Sequence, residues 1–337
     1  MILHFIIVVL GIALLLYIIF GGADFGAGIL ELFSRKKHFT QIKNITYRTI
    51  GPVWEANHVW VILIVVILFM GFPKIYALIS TALHIPILVM LLGIILRGTT
   101  FTFRHYDAYK DNAEKYYSKV FAYSSFITPL LLGMIAGAVI SGKINLEANN
   151  FYDIYIAGWF HWFSFFVGIF TASICAFLAA IFLIGEADDE KLRRLFTTRA
   201  VKANIATVIA GGMVFISAKF EGISFFYEYW NNTTSILLTL FATFSLPVLW
   251  LALIRKKILL SRLVAGVQVS LIVMAWLWVQ FPYVVKLKNG DHLSFYNTQA
   301  PESTLEALAI ALLVGVMIIV PLLLFLFKTF NKLPTKA

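Results

Sequence analysis

Charge is what this sequence has least of: only 13% of its 337 residues are Asp, Glu, Lys or Arg, about half the share of a soluble domain. Cysteine is all but missing as well. The single thiol, Cys175, lies inside an apolar run, which excludes an intrachain disulfide and leaves the redox compartment unmarked. No CxxC or HExxH spacing, phosphate-binding glycine loop or nucleophile elbow occurs, so neither a metal ligand set nor a catalytic residue is expected in this chain. There is no low-complexity segment and no convincing internal repeat. The net charge of +10 never gathers into a long basic tract. Short basic clusters between apolar runs are a feature of membrane topology and exclude nucleic acid as a partner.

What fills the chain is apolar. Hydrophobic residues make up 61% and aromatics 16%, and no soluble fold of this size hides so much apolar surface. A stretch of about 20 apolar residues crosses a hydrocarbon core of about 30 Å. On that rule the fold class is all-α, a polytopic integral membrane protein of about nine transmembrane helices forming a single domain over residues 1–337. The expected spans lie near 2–23, 51–72, 76–97, 120–141, 154–184, 200–218, 234–254, 262–282 and 304–327. The segment Met1–Phe20 lacks a basic leader and a small-residue cleavage site, so it reads as a retained first helix. The sixth span is short and holds Gly211-Gly212. The eighth ends at Pro282, and Pro321 in the ninth predicts a kink. The spacing of Gly133 and Gly137 suits close helix contact.

Of the 27 Lys and Arg residues, 22 fall in one alternating set of loops and 5 in the other. This asymmetry predicts the N-terminus outside and the C-terminus in the cytoplasm.

Polar groups inside spans are functional candidates. Asp24 closes the first span, Glu55, Asn57 and His58 open the second, and Arg97 closes the third, so topology alone gathers Asp24, Glu55 and Arg97 at the cytoplasmic ends. Glu55 and His58 are three residues apart and share a helix face, roughly 6–12 Å below the inner surface at 1.5 Å per residue. Pro52 suits the first turn of that helix. Two readings of this cluster stand side by side. Carboxylates and an imidazole at the inner mouth of a membrane can take up protons and pass them on; the same groups can be an ion-pair network locking three helices together. His58, His84 and His161 are the candidate haem ligands, although no facing pair emerges from their spacing. Gln268 adds a polar group to the eighth span.

Two segments resemble subunit II of the cytochrome bd-type quinol oxidases: Ala23-Asp24-Phe25-Gly26-Ala27-Gly28, and Gly51-Pro52-Val53-Trp54-Glu55-Ala56-Asn57-His58-Val59-Trp60. So do Leu96-Arg97-Gly98 and Phe103-Arg104. The specific motifs all lie in the first hundred or so residues; the rest agrees in length and hydropathy. The family pattern often has Asp where this chain has Glu55, and Gln where it has His58.

The resemblance implies two four-helix bundles plus one extra helix, in the bacterial cytoplasmic membrane. It implies a haem-free subunit of a complex that oxidises membrane quinol and reduces dioxygen to water. Two haems b and one haem d belong to the partner, subunit I, which forms a pseudo-symmetric heterodimer with this chain. A bound quinone, a small accessory subunit and membrane lipid are further partners it allows. Glu55, Asp24, His58 and Asn57 are then expected on a cytoplasmic proton-uptake path. Arg97 and Arg104 are expected as ion-pair partners, and Trp54 and Trp60 as interface supports. The competing reading is a secondary transporter with Asp24 and Glu55 as coupling-ion sites. Transporters place such sites near the midplane in paired halves, and the second half of this chain has no counterpart to them.

Overall fold

The computed structural model describes residues 1–34, 36–51, 54–106 and 112–331. Pro52, expected to open the second span, lies outside the described residues, as do Arg35, Lys110, Lys332 and Lys336 from the charge count. Among the described residues, nine helices are long and apolar enough to cross a membrane.

The first crossing runs unbroken from Ile2 to Leu32. It comprises α1 (Ile2–Leu16), a π-helical turn (Tyr17–Gly21) and α2 (Gly22–Leu32). It is longer than the apolar window near 2–23 because Asp24 and Glu31 are buried within it rather than placed past its end. An amphipathic helix, α3 (Lys36–Ile50), follows. Its Ile42, Ile45 and Ile50 are buried on one face against the core, the spacing of a surface-lying helix. The hydropathy rule does not see α3, because that rule seeks long apolar runs.

The second crossing is α4 (Trp54–Asn57) leading into α5 (Val59–Gly71). The third differs most from expectation. The apolar stretch near 76–97 is two helices, α6 (Pro73–Ala82) and α7 (His84–Tyr106), broken at Leu83, where φ is −114° and ψ 21°. The crossing helix therefore starts at His84, and Arg97 and Arg104 both lie within it.

The fourth crossing is in α8 (Asn112–Ser141). Near 154–184 a short helix, α9 (Phe151–Tyr155), precedes the crossing helix α10 (Trp162–Ile184). The sixth, expected to be short, is instead α11 (Glu190–Phe220), 31 residues long. Its charged first turns are good helix formers that a hydropathy window rejects. Gly211 and Gly212 leave it continuous. After α12 (Ser224–Trp230) come α13 (Thr233–Ile254) and α14 (Ile258–Gln280), joined by three residues. A two-stranded antiparallel ribbon, β1 (Tyr283–Val285) with β2 (Leu293–Ser294), precedes α15 (Glu302–Asn331), which continues as helix through Pro321.

α10 is the central helix, in contact with α2, α8, α11 and α14. Small residues bring these backbones together. A Cβ added to Gly26 would sit 1.8 Å from the Cys175 carbonyl oxygen, one at Gly133 2.7 Å from the Gly168 Cα, and one at Gly137 2.8 Å from the Ser164 Cα. Such close approach is what stabilises helix pairs where lipid removes any hydrophobic drive. Polar bridges add to it. Asn204 of α11 donates to Gln268 of α14 at 3.5 Å and accepts from the Trp250 indole of α13 at 3.2 Å, while Gln268 donates to the Ala242 carbonyl at 3.2 Å. α15 packs on α1 and α5. The links α2–α3–α4, α7–α8, α10–α11 and α13–α14 share one end of the molecule, called here the basic end.

Candidate functional site

Two buried ion pairs join α2 to α7. Asp24 contacts Arg97 directly, and Arg97 Nη2 also donates to the Asp24 carbonyl oxygen at 3.1 Å. Two turns further along, Arg104 Nη1 and Nη2 donate to Glu31 Oε2 and Oε1 at 2.7 and 3.1 Å. All four side chains are shut off from solvent. Aromatic faces complete the lining: the Arg97 guanidinium lies 5.1 Å from the Phe25 ring centre, and that of Arg104 lies 3.9 Å from Phe121. Both distances suit cation–π attraction, which is strongest when desolvated.

The two pairs are satisfied to different degrees. Glu31 uses both oxygens. Asp24 Oδ2 is buried with no hydrogen-bond partner among the described residues, while the Nε atoms of Arg97 and Arg104 are unpartnered alike. Asp24 can therefore take a proton on Oδ2 without giving up a bond, whereas protonating Glu31 disrupts a two-pronged clasp.

His58 lies beside this pair. The rings of Tyr17, Phe25 and Trp54 surround it at 6.4, 6.0 and 6.3 Å, and both its nitrogens are buried without a partner among the described residues. Phe25 touches both His58 and Arg97, so one ring spans the distance between the imidazole and the ion pair. The π-turn places Tyr17 here, and such turns often mark functional segments. Asn57 and Trp60 are buried next to His58, and Trp54 is half-buried against Phe101.

Glu55 stands apart from this group. It is exposed at the basic end, one turn before His58, and its carboxylate makes no hydrogen bond or ion pair among the described residues, though its carbonyl accepts the His58 N–H at 3.1 Å. The expected gathering of Asp24, Glu55 and Arg97 thus resolves into a buried Asp24–Arg97 pair and a carboxylate at the rim, with His58 close to both. Glu31 escaped the sequence reading. Its signal was the spacing: Asp24 and Glu31 are seven apart, as are Arg97 and Arg104.

The opposite end carries a second cluster. The Glu221 carboxylate accepts from Lys143 Nζ at 2.5 Å, His161 Nδ1 at 2.9 Å and the Trp162 N–H at 2.8 Å. Burial raises the Glu221 pKa, but these donors outweigh it and hold the group below its ordinary value. Burial, aided by the Lys143 charge, holds His161 below the usual imidazole range against the pull of Glu221.

The three candidate haem ligands make no usable pair. His161 is bonded at both ring nitrogens, to Glu221 and to Ser164 Oγ at 2.9 Å. His84 bonds the Thr81 carbonyl through Nδ1 and lies 13 residues from Arg97 along α7, roughly 20 Å at 1.5 Å per residue, so it is far from His58. His58 and His84 therefore do not face each other across a haem. No group of three His, Cys, Asp or Glu side chains suited to a metal occurs among the described residues.

With this geometry in hand, the comparisons with known proteins decide the family. The model of the family described as cytochrome bd terminal oxidase subunit II matches residues 2–330. The chain belongs to that family. It is thus part of a membrane oxidoreductase and a multi-pass protein of the bacterial cytoplasmic membrane. Its fold is similar to a chain in the structure of bd oxidase from Geobacillus thermodenitrificans, with a TM-score of 0.79 and 18% identity over 99% of both chains. It is 24% identical to the putative cytochrome bd menaquinol oxidase subunit II of Bacillus subtilis, over 94% of this chain and 92% of that one. The likeness to cytochrome bd ubiquinol oxidase subunit 2 of B. subtilis is 28% over 46% of this chain, and the match spans 44% of that relative's length. The match to cytochrome bd-I ubiquinol oxidase subunit 2 of Escherichia coli K12 spans 38% of that relative, at 24% identity.

Proposed function

We propose that this chain, as a single transmembrane domain, is the haem-free subunit II of an oxidase that oxidises membrane quinol and reduces dioxygen to water. It supports a haem-bearing subunit I as one half of a pseudo-symmetric heterodimer and contributes a proton-uptake path from the cytoplasm. The basic end then faces the cytoplasm, with the N-terminus outside. Two haems b and one haem d, held by the partner, supply the electron transfer and the oxygen chemistry. This chain's residues handle protons, because reduction of dioxygen to water consumes a proton for every electron.

The observation that carries this reading is the graded burial of Glu55, His58 and Asp24. Glu55 at the rim exchanges protons with water. His58, one turn on and free at both nitrogens, passes them inward. Asp24 Oδ2 receives them beside the Arg97 guanidinium. Asn57 supports this turn, while Trp54 and Trp60 close it in aromatic surface.

The test is purification of the tagged chain with its partners from its own membrane. A haem-containing partner of similar size and quinol-driven oxygen uptake are expected. A haem ligated by this chain itself, or the lack of any redox-active partner, overturns the assignment.

A further inference from the structure

At the basic end, the tips of α10, α11, α13 and α14 enclose a cavity of about 310 Å³ that the proton path does not use. Its floor is apolar, built by Leu253, Ile254 and Ile258; its rim holds Arg193, Arg194 and Lys256. We propose that this cavity binds an anionic phospholipid, with the phosphate among the three cations and an acyl chain running down the apolar floor.

The charge balance points to an anion. Four acids follow one another closely in the α10–α11 link, and three are engaged elsewhere. Glu186 pairs with Arg262 at 2.9 Å, Asp188 pairs with Arg48 at 2.7 Å, and Asp189 accepts the Leu192 N–H at 2.6 Å. Glu190 alone faces the rim, at 2.6 Å from Lys256, 3.4 Å from Arg194 and 4.0 Å from Arg193. One carboxylate thus serves three cations. Arg255 and Lys257, both exposed beside Lys256, add to the positive potential.

The floor distinguishes a lipid from a free anion. It opens onto Ile254 and Leu259, which are 75% and 71% exposed on helices that cross the membrane. Inorganic phosphate would fill the rim and leave that surface bare. A zwitterionic lipid brings its own cation and cancels the attraction. Basic pockets between helix ends at a membrane surface select anionic headgroups on these grounds.

The test uses the complex purified from its own membrane. It is exposed to phosphatidylglycerol bearing a photoreactive acyl chain, to phosphatidylcholine with the same chain, and to inorganic phosphate as competitor. Phosphatidylglycerol is expected to label the segment 253–259 in excess over phosphatidylcholine, and phosphate to leave that labelling intact. Substitution of Arg193→Gln with Arg194→Gln removes two charges worth roughly fivefold each, so binding weakens about 25-fold. Equal labelling by both lipids, undiminished labelling of the double variant, or displacement by phosphate overturns the proposal. Should the double variant fail to assemble, the ratio of the two lipids on the unmodified complex decides, and Lys256→Gln is expected to weaken the labelling about fivefold, undiminished labelling overturning the proposal.

Discussion

Arg104 clasps Glu31 with both terminal nitrogens, at 2.7 and 3.1 Å, and neither side chain reaches solvent. Replacing only one member of such a pair strands the other charge in a dry interior, a loss of about 3–5 kcal/mol. Glu31→Gln is therefore expected to lower the stability of the assembled protein by that amount. Leucine at both positions is expected to recover most of it, since an apolar pair of similar volume carries no desolvation cost. Thermal melting of the single and double variants checks this, and a double variant as unstable as the single one contradicts it.

Glu55→Gln is expected to slow oxygen consumption two- to tenfold, well short of the roughly 100-fold that a positioned proton-transfer group can contribute, because water at the rim partly replaces an exposed acid. Haem content of the complex stays near normal. Asp24→Asn has no such substitute and is expected to reduce turnover more, with some loss of assembly. Turnover per haem, measured in the same preparations, separates the two effects. Unchanged turnover in both variants returns these acids to a structural role.

Much of this site was readable before any coordinates. Asp24, Arg97 and His58 were singled out for being polar inside apolar runs, and the structure brings them together. Glu31 and the true start of α7 were not, for related reasons. Hydropathy finds the part of a helix that faces lipid, so it ended the first span near residue 23 although the helix runs to Leu32. A glutamate beyond that limit looked like a loop residue. The same rule merged α6 with α7, because Ser80, Thr81 and His84 around the break at Leu83 are too few to lower the mean hydropathy of a window of about 20 residues. Topology groups Glu55 with Asp24 at the same end of the bundle, which fixes the end but not the direction in which a side chain points.

At the end opposite the basic end, acid is expected to destabilise the fold in two steps. Folded His161 is held below its ordinary pKa of 6.5, so the unfolded chain binds a proton first and folding loses support as the pH drops past that value. Glu221, held below its ordinary 4.5, adds a further loss under more acidic conditions. The melting temperature should fall below pH 6.5 and again below pH 4.5. His161→Gln flattens the first step and shrinks the second, which Lys143 and the Trp162 N–H still sustain. Parallel profiles for the variant and the unmodified protein between these values rule the assignment out.

Gly26 and Gly212 make a matched pair. A Cβ at Gly26 would lie 1.8 Å from the Cys175 carbonyl oxygen, whereas one at Gly212 meets nothing within 4 Å. Gly26→Ala is expected to cost about 3 kcal/mol or more as overpacking between two backbones. Gly212→Ala is expected to be neutral or slightly stabilising, since alanine favours helix. Yield of folded protein in detergent distinguishes them.

Because the arginines share one helix and the acids another, with the same interval on each, the contact works like a two-pronged plug. A single pair allows α7 to swivel about its own axis or slip along α2. Two pairs, roughly 10 Å apart at 1.5 Å per residue, fix both the rotation and the axial setting, and a slip of one residue breaks both together. In any rearrangement of the bundle these two rods travel as one body, and movement must come from the segments on either side of them.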